Sequence, residues 1–172
     1  MLREQITVNL EDTFSQYGFA EPSVAQLKTA CKVSLRTLYK HYPSKEAMIV
    51  GALEYRHQRY LAFLLNDSPA SGVESVIHIF NKLELWMDEF APHGCLSMNA
   101  IAAFPDNALI SKAVKEHKED VLQFLSQQSQ RDDLASIIFL LHEGVSSAWP
   151  VLGREAVTSA QKTILQLLKE DK

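Results

Sequence analysis

Apolar residues recur at helical spacing along almost the whole chain. The first stripe places Leu2, Ile6, Leu10 and Phe14 four residues apart, which aligns their side chains on one face of an α-helix. The clearest interruption of the pattern is the polar segment NDSPASG at residues 66–72, a composition typical of loops. No alternating run is long enough to predict a β-strand. The pattern therefore predicts an all-α protein of about nine helices.

Turn-forming residues divide the remainder of the chain. They lie at residues 91–94, at Pro105, at residues 131–132 and at residues 149–153. With the loop at 66–72, these breaks delimit five helices in the C-terminal part. We expect a three-helix domain over residues 1–46 and a larger helical domain over residues 47–172, connected by a fourth helix over about residues 44–65.

Residues 23–42 carry the pattern of two short helices joined by a tight turn. Ser23 begins an S-x-x-Q capping box, so a helix is expected to follow it. Ser34 is placed to cap the next helix, which should run through Tyr42 and stop before Pro43, because proline disfavours helical geometry in the residue before it. Two short helices with a three-residue turn form a helix-turn-helix.

The second of these helices is expected to present a polar face to the solvent. Its apolar residues Leu38 and Tyr42 are four apart and should face the core, so that the opposite face carries polar side chains. Those side chains are Arg36, Thr37, Tyr39 and Lys40. Arginine can pair with O6 and N7 of guanine, and threonine offers a hydroxyl and a methyl group to base edges. Tyr39 and Lys40 are better suited to phosphate oxygens.

The distribution of charge agrees with a docking face for a polyanion. The chain has a formal net charge of -4, yet residues 23–45 hold five Lys or Arg and no Asp or Glu. Residues 1–65 hold eight basic against six acidic residues, and residues 66–172 hold nine against fifteen. Lys45 also lies at the expected start of a helix capped by Ser44, where amide groups attract a phosphate.

The segment VSLRTLYKHYPSKE at residues 33–46 resembles the DNA-binding signature of the TetR (tetracycline repressor) family, V-S-x-x-T-L-Y-x-H/Y-F-x-S-K-E. Residues 17–19 and residues 94–106 are similar to further family segments. The resemblance implies a ligand-responsive transcriptional regulator, usually a repressor, that binds a palindromic operator in double-stranded DNA as a homodimer and is released by a small-molecule effector. The DNA-contacting residues that it implies are Ser23, Ser34, Arg36, Thr37, Tyr39, Lys40, His41 and Lys45.

Three features depart from the family pattern. Lys32 occupies the turn position where glycine is common, and a left-handed conformation there would carry modest strain. Tyr42 replaces the usual phenylalanine, so its hydroxyl needs a polar partner or water. The chain begins almost at its first helix, so we expect no basic arm for the minor groove and assign specificity mainly to the major-groove helix.

The resemblance also implies an effector pocket enclosed by helices four to eight. Its candidate lining residues are Phe80, Leu83, Met87, Met98, Asn99, His117, Val121, Ile138 and His142. Three of them, Asn99, His117 and His142, are polar on mainly apolar faces, and a buried polar group needs a hydrogen-bond partner that a ligand could supply. For the two histidines, partners within the protein are the alternative.

The last two helices carry broad apolar stripes that predict self-association. Their candidate interface residues are Leu134, Ile137, Leu141, Val145, Val157, Ala160, Ile164 and Leu168. In the family, the corresponding helices form a four-helix dimer interface. A twofold dimer would place two reading helices one turn of DNA apart, or a multiple of it. The alternative is that both helices only close a monomeric core.

Other chemistries have little support in the sequence. Cys31 and Cys95 are the only thiols, and without a signal peptide or long apolar span we expect a reduced, cytoplasmic protein with no membrane segment. The six histidines lack metal-ligand spacing, and no catalytic motif or cofactor loop is present. Two alternatives stay open: a helical interaction module without DNA binding, and a small all-α enzyme. A salt series separates the first, because DNA binding weakens steeply with salt.

Overall fold

The protein is described here by a computed structural model that covers residues 1–169. Within this range it contains nine α-helices, one short 3₁₀ turn and no β-strand. The helices are α1 (Leu2–Tyr17), α2 (Val24–Ala30), α3 (Leu35–His41), α4 (Lys45–Leu65), α5 (Val73–Phe90), α6 (Leu96–Ala103), α7 (Ala108–Ser129), α8 (Ala135–Leu152) and α9 (Arg154–Leu167). The predicted all-α fold with about nine helices is confirmed.

The chain forms two compact units. The first unit consists of Met1–Arg59 and Leu96–His117, and the second consists of Tyr60–Cys95 and residues 118–169. Helices α4 and α7 each have residues in both units. The functional boundary at residue 46 stays a prediction, because compactness alone does not show which residues bind a ligand.

The core of the first unit contains most of the stripe that the sequence predicted for α1. Ile6, Leu10 and Phe14 are fully buried, and the ring of Phe14 lies 5.1 Å from that of Phe19, the residue that follows the turn after α1. Leu2 is exposed, because it lies at the open first turn of the helix. Leu27, Leu38 and Met48 are fully buried members of the same cluster, from α2, α3 and α4.

The second unit has a core of aromatic and aliphatic side chains on α5, α7, α8 and α9. Val76, Ile79, Phe80 and Leu83 form the buried face of α5. Near its end, Trp86 packs against the rings of Tyr60, Phe63 and Phe90, with centroid distances between 4.8 and 5.5 Å. Among the described residues, α5 contributes more buried side chains to this core than any other helix.

Two predicted helix ends differ from the structure. The break expected at residues 149–153 is confined to Gly153, because α8 continues through Leu152 with Pro150 inside its last turn. Proline removes one hydrogen bond there, but the amide of Gly153 donates to the carbonyl of Trp149 at 2.8 Å and closes the turn. Helix α3 ends at His41, and Tyr42 has extended geometry before Pro43.

Candidate nucleic-acid interface

Helix α2 begins with the capping box that the sequence predicted. The amide of Ser23 donates to Oε1 of Gln26 at 2.8 Å, and the amide of Gln26 donates to Oγ of Ser23 at 3.3 Å. Two amides that have no partner within the helix are thereby satisfied. Leu27 is the residue of α2 that is fully buried, whereas Val24 and Ala30 are half-buried.

The turn between α2 and α3 contains a left-handed residue. Lys32 has a φ angle of 55°, at the position where the family commonly has glycine. Its amide donates to the carbonyl of Thr29 at 3.1 Å. The strain that we expected at this position is therefore present in the backbone.

Helix α3 is capped by Ser34, as predicted. Oγ of Ser34 accepts a hydrogen bond from the amide of Thr37 at 3.0 Å and lies 2.8 Å from the hydroxyl of Thr37. The Thr37 hydroxyl can therefore keep a protein partner while its methyl group faces a base. Leu38 is fully buried, which fixes the rotation of the helix about its axis.

The opposite face of α3 is open to solvent. Arg36, Tyr39 and Lys40 are exposed, and His41 is half-buried. The structure adds Leu35 to this face, a residue that the sequence pattern did not indicate. Its side chain is 46% exposed at the start of the face. An exposed leucine beside an arginine can contact the methyl group of thymine. Its signal in the sequence was its position next to the Ser34 cap.

Lys45 lies at the first turn of α4. The hydroxyl of Ser44 accepts a hydrogen bond from the amide of Ala47 at 3.1 Å and so caps this helix as predicted. Nζ of Lys45 donates to the carbonyl of Ala20 at 3.2 Å. Burial lowers the pKa of Lys45, and the charge of Glu46 opposes that effect. The ammonium group is therefore held against the loop that follows α1, while the Lys45 backbone lies in the first turn of α4.

A family model described as bacterial regulatory proteins, tetR family, matches residues 10–52. This range contains the second half of α1, both helices of the helix-turn-helix and the start of α4. Residues 10–52 therefore match the tetR family. Residues 33–46, which carried the resemblance in the sequence, lie within the matched range.

Relatives and solved structures agree with this assignment. The chain is 25% identical over 126 residues to the HTH-type transcriptional regulator UidR of Escherichia coli strain K12, covering 73% of this chain and 63% of UidR. It is 26% identical over 117 residues to the HTH-type regulator YuxN of Bacillus subtilis, covering 64% of this chain and 38% of YuxN. The chain thus spans less than two thirds of the length of these relatives.

Two solved structures show the same fold over nearly the whole chain. A TetR-family regulator from Streptomyces coelicolor superposes with a TM-score of 0.83 at 20% identity, covering 98% of this chain and 96% of that one. Escherichia coli NemR in its reduced form gives a TM-score of 0.79 at 20% identity, with coverages of 98% and 97%. The chain therefore has the fold of these TetR-family regulators.

The predicted effector residues fall into two groups. Six of them are buried in the second unit and belong to, or pack within, its core. They are Phe80, Leu83, Met87, Val121, Ile138 and His142. The other three lie in the first unit, where Met98 and Asn99 are exposed on α6 and His117 is buried on α7. The side chain of Asn99 therefore needs no buried partner, and the effector role of the whole set stays a prediction.

His142 already has partners on both ring nitrogens. Its Nε2 lies 2.5 Å from the hydroxyl of Tyr60, and its Nδ1 lies 3.0 Å from Oε1 of Glu143. Burial lowers the pKa of His142, although Glu143 opposes the effect. Because a carboxylate only accepts, the proton of the neutral ring is on Nδ1 and Tyr60 donates to Nε2.

His117 is less completely satisfied. Its Nε2 lies 2.7 Å from Oε2 of Glu54, and its ring stacks on that of His57 with centroids 4.3 Å apart. Its Nδ1 is buried without a hydrogen-bond partner. His142 therefore has protein partners on both ring nitrogens, as the alternative to ligand binding predicted. His117 has a protein partner on one ring nitrogen, Nε2.

The predicted interface residues also divide by burial. Four of them lie inside the second unit's own core and offer no surface to a partner. They are Val145, Val157, Ala160 and Ile164. Leu134, Leu141 and Leu168 are half-buried, and Ile137 is exposed. The four buried residues are therefore not available to a dimer interface. The sequence could not separate them from the others, because an apolar stripe that packs within the unit and one that packs on a second copy have the same spacing.

The structure adds exposed apolar residues on α8 that the sequence analysis did not select. Leu140, Val151 and Leu152 are exposed in addition to Ile137. The segment Asp132–Leu152 is also long and apolar enough to cross a membrane by length and composition alone, with a third of the tested window buried. A core helix of a folded protein passes the same test, so this finding is weak evidence for a membrane location.

The remaining candidate chemistry is structural. Cys31 is buried, its Sγ lies 3.6 Å from the carbonyl of Ile6, and burial raises its pKa to about 11. It is therefore a packed thiol of low reactivity. Among residues 1–169, no group of three or more His, Cys, Asp or Glu side chains is arranged to hold a metal ion.

Proposed function

We propose that this TetR-family protein binds double-stranded DNA sequence-specifically through α3, as a homodimer on a palindromic operator, and that a small-molecule effector releases it. The observation that carries the proposal is the division of α3 into a fully buried side, at Leu38, and an exposed side, at Arg36, Tyr39 and Lys40. This division gives a short helix a fixed orientation and leaves its bidentate and cationic side chains free for bases and phosphates.

The assignment of roles follows from exposure and chemistry. Arg36 and Thr37 are the base readers, with Leu35 beside them for a thymine methyl group. Tyr39, Lys40 and Lys45 contact phosphates, and the caps Ser23 and Ser34 place helix amides towards the backbone of the DNA. His41 lies at the end of the same helix. Together these residues form the proposed DNA-contacting surface of each protomer, which we call its reading head.

We expect the partner protomer of the homodimer to pack against α8. Ile137, Leu140 and Val151 are exposed apolar residues of one helix, and apolar helix faces of this kind are covered in twofold dimers. Leu134, Leu141 and Leu168 lie at half-buried positions that a partner helix would cover further. A twofold axis makes the two reading heads equivalent, so the operator should be palindromic.

We expect the effector in the second unit, where the rings of Trp86 and Phe80 lie beside the hydrogen-bonded chain of Tyr60, His142 and Glu143. An effector that binds better to a conformation with mismatched reading heads would release the DNA. Release of DNA by an effector is the behaviour of a repressor, which is the role that we propose. We expect the protein to act in the cytoplasm.

Selection from random duplexes tests the proposal. Wild-type protein should enrich a palindromic sequence, and affinity for it should fall steeply as salt rises because condensed counterions are released. Light scattering should give the mass of a dimer. Repeating the selection with a panel of small molecules should identify one that abolishes enrichment. No enrichment, with weak and salt-insensitive binding, would instead support an interaction module without DNA binding.

A further inference from the structure

Tyr42 is the residue through which the C-terminal end of α3 meets the rest of the first unit. Its amide donates to the carbonyl of Leu38 at 2.9 Å, and its backbone is extended, with φ -137° and ψ 100°. The side chain is 5% exposed. A tyrosine at this position therefore points into the unit directly behind the reading face of α3.

Helix α1 holds the ring from one side. The hydroxyl of Tyr42 lies 2.5 Å from Oγ1 of Thr7, and that same Oγ1 donates to the carbonyl of Arg3 at 2.8 Å. Since the single hydroxyl proton of Thr7 is used on Arg3, Tyr42 must be the donor to Thr7. The guanidinium carbon of Arg3 lies 5.5 Å from the centroid of the ring, within the range of a cation–π contact.

Helix α4 holds the ring from another side, at Gly51. A Cβ atom on Gly51 would overlap Cε1 of Tyr42 and lie 2.9 Å from Cζ. Gly51 lies inside a helix and needs no unusual backbone conformation. Glycine is among the least favourable residues for a helix interior, so the ring of Tyr42 is the structural reason for a glycine at this place.

We propose that Tyr42 is a positioning residue for the DNA-reading face, and that its contact with Gly51 is the point at which α4 sets the angle of α3. This inference rests on the proposed DNA binding and names how that same site is controlled. A shift of α4 along or around its axis moves the surface on which the ring rests. Because Tyr42 follows α3 directly, a displaced ring changes where Arg36 and Thr37 meet the bases.

The surroundings of the ring allow such a displacement without unfolding. Tyr42, Thr7 and Gly51 border an open depression of about 370 Å³ on the first unit, lined also by Arg3 and Tyr55. A methyl group on Gly51 can therefore push the ring aside instead of breaking the core, where Leu38 stays packed. The expected defect is in the placement of α3 and not in its formation.

A double-mutant cycle between Gly51 and Tyr42 tests the contact. Gly51→Ala in the wild-type chain should weaken binding to the selected operator by at least about tenfold, as expected for an overpacked contact, while binding to random DNA changes little. In a Tyr42→Leu background, which lacks Cε1 and Cζ, Gly51→Ala should cost no more than about twofold. This non-additivity is the signature of direct contact. Circular dichroism and melting curves should show folded protein for all four.

The hydroxyl is tested by Tyr42→Phe against Tyr17→Phe, a matched change at an exposed tyrosine of α1. Tyr42→Phe removes one buried hydrogen bond, and operator affinity should fall by up to about tenfold. Tyr17→Phe should leave affinity within about twofold, the scatter for surface substitutions.

The outcomes separate the two proposals. If wild-type protein does not distinguish operator from random DNA, the proposed function fails and the positioning role fails with it. If wild type discriminates and folded Gly51→Ala binds both DNAs as wild type does, the positioning role alone is overturned. Equal additional losses from Gly51→Ala in both backgrounds would also overturn it, because the effect would then not pass through the ring.

Discussion

The two compact units differ in how they use buried polar groups. In the first unit, the fully buried carboxylate of Glu11 on α1 accepts from Arg56 at 2.5 Å and from Arg59 at 2.8 Å, both on α4. In the second unit, the polar chain runs from Tyr60 through His142 and Glu143 to Lys118, beside a large apolar and aromatic core.

The difference has a functional meaning. Directional ion pairs between α1 and α4 permit few relative positions of these helices, which suits the proposed role of the first unit in holding α3 at a fixed angle. The apolar and aromatic core of the second unit is held by contacts that are not directional, which suits a unit that adapts to a ligand. The comparison predicts that polar substitutions in the first unit damage DNA reading, and that those in the second unit change stability and effector response first.

The largest effect should come from Glu11→Gln. The substitution removes the charge that compensates buried Arg56, and breaking a buried pair on one side costs about 3 to 5 kcal/mol. Hydrogen exchange should show loss of protection in α1 and α4 while α8 and α9 keep theirs. Asp12→Asn, at an exposed neighbouring position, is the control. Unchanged protection in α1 would contradict the proposed role of the ion pairs.

The second unit is tested by the pH dependence of Glu143. Burial alone would raise its pKa, but the hydrogen bond from His142 and the charge of Lys118 lower it from 4.5 to about 2. A lowered folded-state pKa gives stability that is complete above about pH 4.5 and is lost as pH falls towards 2. The contribution is up to about 3 kcal/mol.

Chemical denaturation of wild type and Glu143→Gln therefore should differ most near neutral pH, and the difference should shrink on acidification. Glu155→Gln, at an exposed position of α9, should show no such trend. A difference between wild type and Glu143→Gln that stays constant down to about pH 3 would show that the carboxylate charge is not the source of the stability.

A smaller effect is expected from Lys45→Ala. The loss of one phosphate contact should weaken binding to all DNA sequences alike and lower the slope of log affinity against log salt by about one. Lys162→Ala, on the exposed side of α9, should leave the slope unchanged. A loss confined to the selected operator would reassign Lys45 to base reading.

The smallest effect compares the two units directly. Lys32 and Gln130 each follow a helix with φ 55°, one in the first unit and one in the second. Glycine adopts this conformation freely, so Lys32→Gly and Gln130→Gly should each stabilise the protein by roughly 0.5 to 1 kcal/mol. Thermal denaturation measures both. A loss of stability in either variant would show that its side chain makes a contact worth more than the strain.

How well each feature could be predicted depends on how far apart in sequence its interacting residues lie. The caps at Ser23, Ser34 and Ser44 are set by neighbours three residues away, and all three are confirmed in the structure. Burial of Val157 and Ile164 on α9 depends on tertiary packing against α8 and the distant α5. The sequence does not reveal this packing, so the same stripe also fits a dimer surface.

The same reason explains what the sequence did not reveal at the reading head. Gly51 looks like an ordinary helical glycine, and only the three-dimensional packing of the Tyr42 ring against it gives it a role. The need of the Tyr42 hydroxyl for a partner was predictable from chemistry. That the partner is Thr7, 35 residues earlier in the chain, required the fold.

The most direct test of the central claim is the affinity of wild type and Arg36→Ala for the selected operator and for random DNA of equal length. Loss of a bidentate base contact should cost about 1 to 3 kcal/mol on the operator and relax specificity at one base pair, with little change on random DNA. Equal losses on both DNAs would contradict base reading by α3.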